Sequence, residues 1–207
     1  MQILGIDTTK KSAKVFLIDT SDIKQSYMVE LDENIKHSEG LFLYIEKTML
    51  ENRINIGDID GFACVVGPGS FTGIRVGMST IKGFNKVLNK SIVSMNTFEL
   101  LLPSVKNGLI VLNSTMSSCY YAKVNKCEIV ETGVVDKFSI PELAKGLEVV
   151  ILKEEQSLID IEYNNIKVVN NTAERLKEII FENINCEKYS SLEPYYLQLS
   201  QAERNLK

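Results

Sequence analysis

Apolar residues along the chain follow two alternating periods, one that suits strands and one that suits helices. Short β-branched runs at 2–7, 12–18, 25–31, 61–66 and 91–95 read as strands. Two stretches between them carry helical spacing. In 34–52, Ile35, Phe42, Ile45 and Met49 form one buried stripe that Leu41 and Leu50 widen, with Gly40 in the interior. From Ser70, a good N-cap, a second helix sets Ile74, Met78, Ile81 and Leu88 on a core face and Gly73, Gly77, Thr80 and Phe84 on another. A short helix over 97–102, stopped before Pro103, completes the series strand, strand, strand, helix, strand, helix, strand, helix.

The same series begins again. Residues 109–115 match the pattern of 3–9, and 120–124 answer 13–17. A strand at 129–134, a short helix at 141–145, strands at 149–152 and 167–169 and a terminal helix at 172–183 follow. The expectation is an α/β fold of duplicated βββαβαβα lobes, the second reduced, with lobes at 1–103 and 104–207.

Between strand and helix lies Val65-Val66-Gly67-Pro68-Gly69-Ser70-Phe71-Thr72-Gly73-Ile74-Arg75-Val76-Gly77. Amides freed at a helix N-terminus attract phosphate, but five residues separate Gly67 from Gly73 and Ile74-Arg75 stands where Lys-Ser/Thr would be needed. The dinucleotide spacing fails as well, its third glycine one position late. Inside the helix Gly73 and Gly77 each cost about 1 kcal/mol relative to alanine, which implies that another backbone passes close by.

A net charge of −4 argues against a chain that grips nucleic acid by itself. Cys64, Cys119, Cys127 and Cys186 form no Cys-x-x-Cys pair and His37 is the single histidine, so no zinc site of ordinary spacing can be assembled. No signal-peptide pattern and no apolar run near the ~20 residues of a membrane helix occurs, and the expected setting is the cytoplasm.

Duplicated lobes of this order look like the actin, sugar-kinase and Hsp70 superfamily, in which two hairpin turns clamp nucleotide phosphates. The first turn keeps Asp7 with Thr8 and Thr9, the candidates for a residual phosphate contact. The second has neutral Asn113 and, at Met116-Ser117-Ser118, no glycine. Gly5-Ile6-Asp7-Thr8-Thr9, His37-Ser38-Glu39, the glycine motif from Gly67 to Gly77 and the tail Pro194-Tyr195-Tyr196-Leu197 together resemble the bacterial TsaB (YeaZ) family.

The resemblance implies a non-catalytic subunit of the machinery that makes N6-threonylcarbamoyladenosine at position 37 of tRNAs reading ANN codons. It would pair with a catalytic paralogue, TsaD, and an ATPase, TsaE, would meet tRNA only indirectly and would form a homodimer without its partner. Carried onto this chain, the shared helices are those starting near His37 and at Ser70, with His37, Gly40, Leu41, Tyr44, Phe71, Thr72, Gly73, Arg75, Val76, Gly77 and Thr80 at the interface. No tightly bound cofactor is expected, ATP and Mg²⁺ being handled by partner subunits. Asn113 and Gln198 depart from the family's usual acid and arginine at those positions.

Two rival classes follow from the same residues. A metallopeptidase-like hydrolase would need a His-x-x-x-His pair, but residue 41 is leucine. A nucleotide-binding ATPase or kinase would need the second phosphate turn, which lacks both acid and glycine.

Overall fold

Strand pairing divides the computed structural model, whose described residues are 1–21, 26–185 and 192–199, into two mixed sheets of five strands each. The first holds β1 (Gln2–Asp7), β2 (Lys14–Asp19), β3 (Tyr27–Glu30), β4 (Gly61–Val65) and β5 (Ser91–Met95) in the order β3-β2-β1-β4-β5. The second holds β6 (Gly108–Asn113), β7 (Ser118–Asn125), β8 (Glu128–Asp136), β9 (Glu148–Leu152) and β10 (Ile166–Val169) in the order β8-β7-β6-β9-β10. In both, the first three strands pair antiparallel and the last two join parallel to the first. The helices are α1 (His37–Asn52), α2 (Phe71–Leu88), α3 (Thr97–Leu101), α4 (Ile140–Leu143), α5 (Gln156–Ile159) and α6 (Ala173–Asn185). The βββαβαβα series read from the sequence therefore occurs twice, as expected of the actin-like architecture.

By internal contacts the chain divides into Met1–Asn96 with Lys177–Tyr195, and Thr97–Leu176 with Tyr196–Lys207. α3 thus belongs with the second unit, while α6 returns from the second unit to the first. A single cut at residue 103 does not capture that return, because sequence order carries no signal of it.

Burial explains the strands. β1 is enclosed from Ile3 onward and all of β4 is buried, which suits the short β-branched runs of strands covered on both faces. Here α1 packs on β2 and β3, and α2 packs on β4 and β1. Phe16 and Phe62 are wholly buried, each contributing about 1.5–3 kcal/mol. In the second unit, Leu109, Val111, Val149 and Ile151 form the core with Ile140 and Ile159 from α4 and α5.

Several boundaries moved. α1 starts at His37 instead of 34, since the turn at 32–35 is closed by Asp32, which accepts from the Asn34 amide. Pro103 does not end structure but opens a 3-10 turn, Leu102–Ser104, which its fixed φ suits. Short turns Ile56–Asp58, Lys137–Ser139 and Lys153–Glu155 carry too few residues to show a period. The expected start of β3 at Gln25 and the fourth cysteine, Cys186, lie outside the described residues. Among those residues no helix is long and apolar enough to cross a membrane.

At Gly5 the Phe16 ring occupies the space a side chain would need. Gly5→Ala is expected to destabilise the chain by about 1–3 kcal/mol through overpacking, measured by urea denaturation, with strand content unchanged in the folded state.

Candidate functional site

The first hairpin turn is folded inward. Asp7 Oδ1 accepts from the Thr9 amide at 2.9 Å and from the Thr9 hydroxyl at 2.7 Å, and Asp7, Thr8 and Thr9 are all buried. The Thr8 hydroxyl donates to the carbonyl of Gly73 at 2.7 Å, and the Ser70 amide donates to the carbonyl of Thr9 at 2.8 Å. Ser70 caps α2 by accepting from the Gly73 amide at 3.1 Å, as its sequence position predicted. The residues expected to touch a phosphate are thus covered by the loop 66–70 and the first turn of α2.

That packing accounts within the chain for several residues of the expected interface. A methyl at Gly73 would overlap the Thr8 carbonyl oxygen and lie 3.1 Å from His37 Nδ1; one at Gly77 would overlap the Thr8 hydroxyl. The close neighbour implied by these glycines is the chain's own hairpin, whose backbone passes Gly73 and whose Thr8 side chain faces Gly77. Gly40 answers to Ile35 and Leu31 of the same chain, with Ile35 Cγ2 2.6 Å from an added methyl. Leu41 and Thr80 are buried too. His37 is half-buried, its Nε2–H donating to the Lys11 carbonyl at 2.9 Å. Of the expected interface residues, Thr72 and Arg75 are exposed and Tyr44, Phe71 and Val76 are half-buried.

An exposed apolar surface lies on the outer flank of the same two helices. Phe42 and Leu50, which the sequence pattern assigned to the buried stripe, are 60% and 71% exposed. The inward face of α1 is carried instead by Leu41, Ile45, Thr48 and Met49. Phe42, Ile45, Met49, Leu50, Ile54 and Phe84 line a groove of about 430 Å³. Phe84 stacks on core Phe62 and meets Phe42 edge-on, each with ring centroids 6.0 Å apart. Val87, one turn further along α2, is 83% exposed. Gly83 has no atom of the described residues within 4 Å of where a side chain would begin, so no packing contact among them accounts for that glycine. Sequence reasoning missed Gly83 and Val87; the available signal was the surplus of apolar residues beyond one stripe.

In the second unit the turn after β6 is also closed by its own side chain. Thr115 Oγ1 accepts from the amides of Ser117 at 3.3 Å and Ser118 at 3.1 Å, the donors a phosphate would otherwise engage. The Asn113 amide donates to buried Glu155 at 3.2 Å. Gln198 donates to the Ser114 hydroxyl at 2.7 Å and the Tyr120 hydroxyl at 2.8 Å, which gives this neutral residue a structural role in the turn. Burial pushes the Cys119 thiol up to about 11 and raises Cys64 further still, which keeps both from acting as nucleophiles near neutral pH. Among the described residues no group of three His, Cys, Asp or Glu side chains could hold a metal ion.

Comparison with known proteins points in one direction. The family model described as TsaD: tRNA N6-adenosine threonylcarbamoyltransferase matches residues 33–198. The chain is 23% identical over 165 residues to the tRNA threonylcarbamoyladenosine biosynthesis protein TsaB of Buchnera aphidicola subsp. Baizongia pistaciae, covering 76% of this chain and 73% of that protein. It is 24% identical over 134 residues to the protein of the same name from Escherichia coli K12, covering 62% of this chain and 57% of that protein. The solved structure of YeaZ from Pseudomonas aeruginosa superposes with a TM-score of 0.71 at 16% identity, over 95% of this chain and 99% of that one, and so shares the fold.

The three glycines of α2 separate by experiment. Gly73→Ala and Gly77→Ala are expected to lower the melting temperature, because overlap with Thr8 outweighs the gain in helix propensity. Gly83→Ala, with open space around it, is expected to raise melting by about 2–4 °C, the equivalent of roughly 1 kcal/mol. Scanning calorimetry of the three variants checks both signs.

Proposed function

Since the chain belongs to the family of tRNA N6-adenosine threonylcarbamoyltransferases and resembles its TsaB/YeaZ members, we propose that it works in the synthesis of threonylcarbamoyladenosine on tRNA as a non-catalytic subunit. It binds and activates the catalytic paralogue TsaD, which acts on position 37 of tRNAs that read ANN codons. The ATPase TsaE works with the pair, and ATP and Mg²⁺ are handled by those partners. In their absence the same surface pairs two copies of this chain.

The observation that carries the reading is the apolar outer flank of α1 and α2. Phe42, Leu50 and Phe84 place large hydrophobic groups along one groove, and Val87 is exposed one turn further along α2; exposed patches of this kind mark interaction sites. Gly83, where an added side chain would meet nothing within 4 Å among the described residues, lets a partner backbone come close to α2. Support for a non-catalytic role comes from the two hairpin turns, where Asp7 and Thr115 already satisfy the amides that would cradle phosphates. The interface proposed here keeps Phe71, Thr72, Arg75, Val76 and Tyr44 at its edge and adds Phe42, Leu50, Gly83 and Val87. Gly73 and Gly77 act behind it, setting the seat of α2 on the sheet.

The test is binding of purified chain to the catalytic paralogue by calorimetric titration. Leu50→Asp and Gly83→Leu are expected to weaken association by roughly 10- to 100-fold, about 1.4–2.8 kcal/mol, with melting of the free chain changed by no more than a few degrees. Unchanged affinity in both variants would remove this flank from the interface. Threonylcarbamoyl transfer by the isolated chain at the rate of the full mixture would overturn the non-catalytic reading.

A further inference from the structure

The loop between β4 and α2 is gripped on two sides by parts of the first unit that are far apart in sequence. On one side, Thr9 accepts from the Ser70 amide at 2.8 Å, and its carbonyl fills the space beside Gly69. On the other side runs the chain's tail. The Tyr195 amide donates to the carbonyl of Val66 at 2.8 Å, and the Val66 amide in turn donates to Met95 at the end of β5 at 2.9 Å. Gly67 has φ +117°, and a side chain there would stand 2.7 Å from the Tyr195 carbonyl and 2.9 Å from Ile74 Cδ1. The loop is thus pressed between the tail and the first turn of α2. Leu192, three residues earlier, is buried and anchors the tail.

From this sandwich we infer that the segment 192–195 is a strap that fixes the β4–α2 loop and so positions α2. The bond from Tyr195 is a main-chain bond, so a substitution that keeps the amide proton keeps this bond and proline removes it. The aim of α2 sets where Gly83, Phe84 and Val87 stand, since an 18-residue helix transmits a tilt at its N-terminus along its whole length. In this respect the inference rests on the reading of α2 as the partner-facing helix.

Hydrogen exchange on the full chain tests the strap without any partner. In the wild type the Tyr195 amide is expected to be protected along with the amides of Ser70 and Gly73. Tyr195→Ala keeps the donor and is expected to match wild type over 66–74. Tyr195→Pro removes it, and exchange at 69–74 is expected to rise by roughly tenfold or more while β1 and β2 stay unchanged. An unprotected Tyr195 amide in the wild type, or equal rates at 69–74 in the proline variant, overturns the inference; the first result decides it even where the proline variant fails to fold.

Titration with the catalytic paralogue separates the two claims. If wild type binds, Tyr195→Pro is expected to lose roughly fivefold in affinity and Tyr195→Ala none, and equal binding by both variants contradicts positioning through the strap. If the wild type itself does not bind, the functional reading fails, while the exchange data still decide the strap.

Discussion

Thr8 and α2 meet where only glycine leaves room, and the rest of the first unit is arranged to permit that contact. The turn after β1 must bend inward far enough for the Thr8 hydroxyl to reach the Gly73 carbonyl, and α2 must start at Ser70 for its glycine face to meet the turn. Neither requirement is met by hydrophobic burial alone, which is indifferent to rotation of a helix by a few tens of degrees. The hydrogen bond and the two glycines fix that rotation. With Gly73 and Gly77 held inward, Phe84 on the same helix face is brought over core Phe62 at the edge of the sheet and meets Phe42, while Val87 further along is left exposed.

A glycine motif that looks like a phosphate cradle thus serves to bring two pieces of one chain together. The same logic recurs at the duplicated turn with different atoms. At the first turn a carboxylate takes up the hairpin amide; at the second the Thr115 hydroxyl takes up two. The two sheets share one strand order, while the chemistry of each turn is satisfied from within.

Much of this was legible beforehand. The repeat of 3–9 at 109–115 predicted the two equivalent sheets, because strand pattern and hairpin spacing are local properties. The cost of glycine in a helix announced a close backbone approach, but not whose backbone it was. Deciding between a partner and the chain's own turn needs a contact between residues 8 and 73, and no periodicity encodes a separation of that length. For the same reason the pattern places Phe42 and Leu50 in the core: helical spacing gives the width of an apolar stripe, and only the packing of α1 on β2 and β3 tells which edge of it is covered. The return of α6 and of residues 192–195 to the first unit carries no signal in the sequence on the same grounds.

A double-mutant cycle between Thr8 and Gly77 tests the central contact most directly. Gly77→Ala places its methyl against the Thr8 hydroxyl, while the next nearest atoms, Ile6 Cγ2 and Thr8 Cβ, stand at 3.4 and 3.5 Å. Removing the hydroxyl with Thr8→Ala therefore opens the space that the methyl needs. Urea denaturation of the two single variants and the double is expected to show Gly77→Ala costing stability in the wild-type background and little or nothing in the Thr8→Ala background, a coupling of about 1 kcal/mol or more. Effects that add to within about 0.5 kcal/mol would mean that Thr8 does not hold α2 in place.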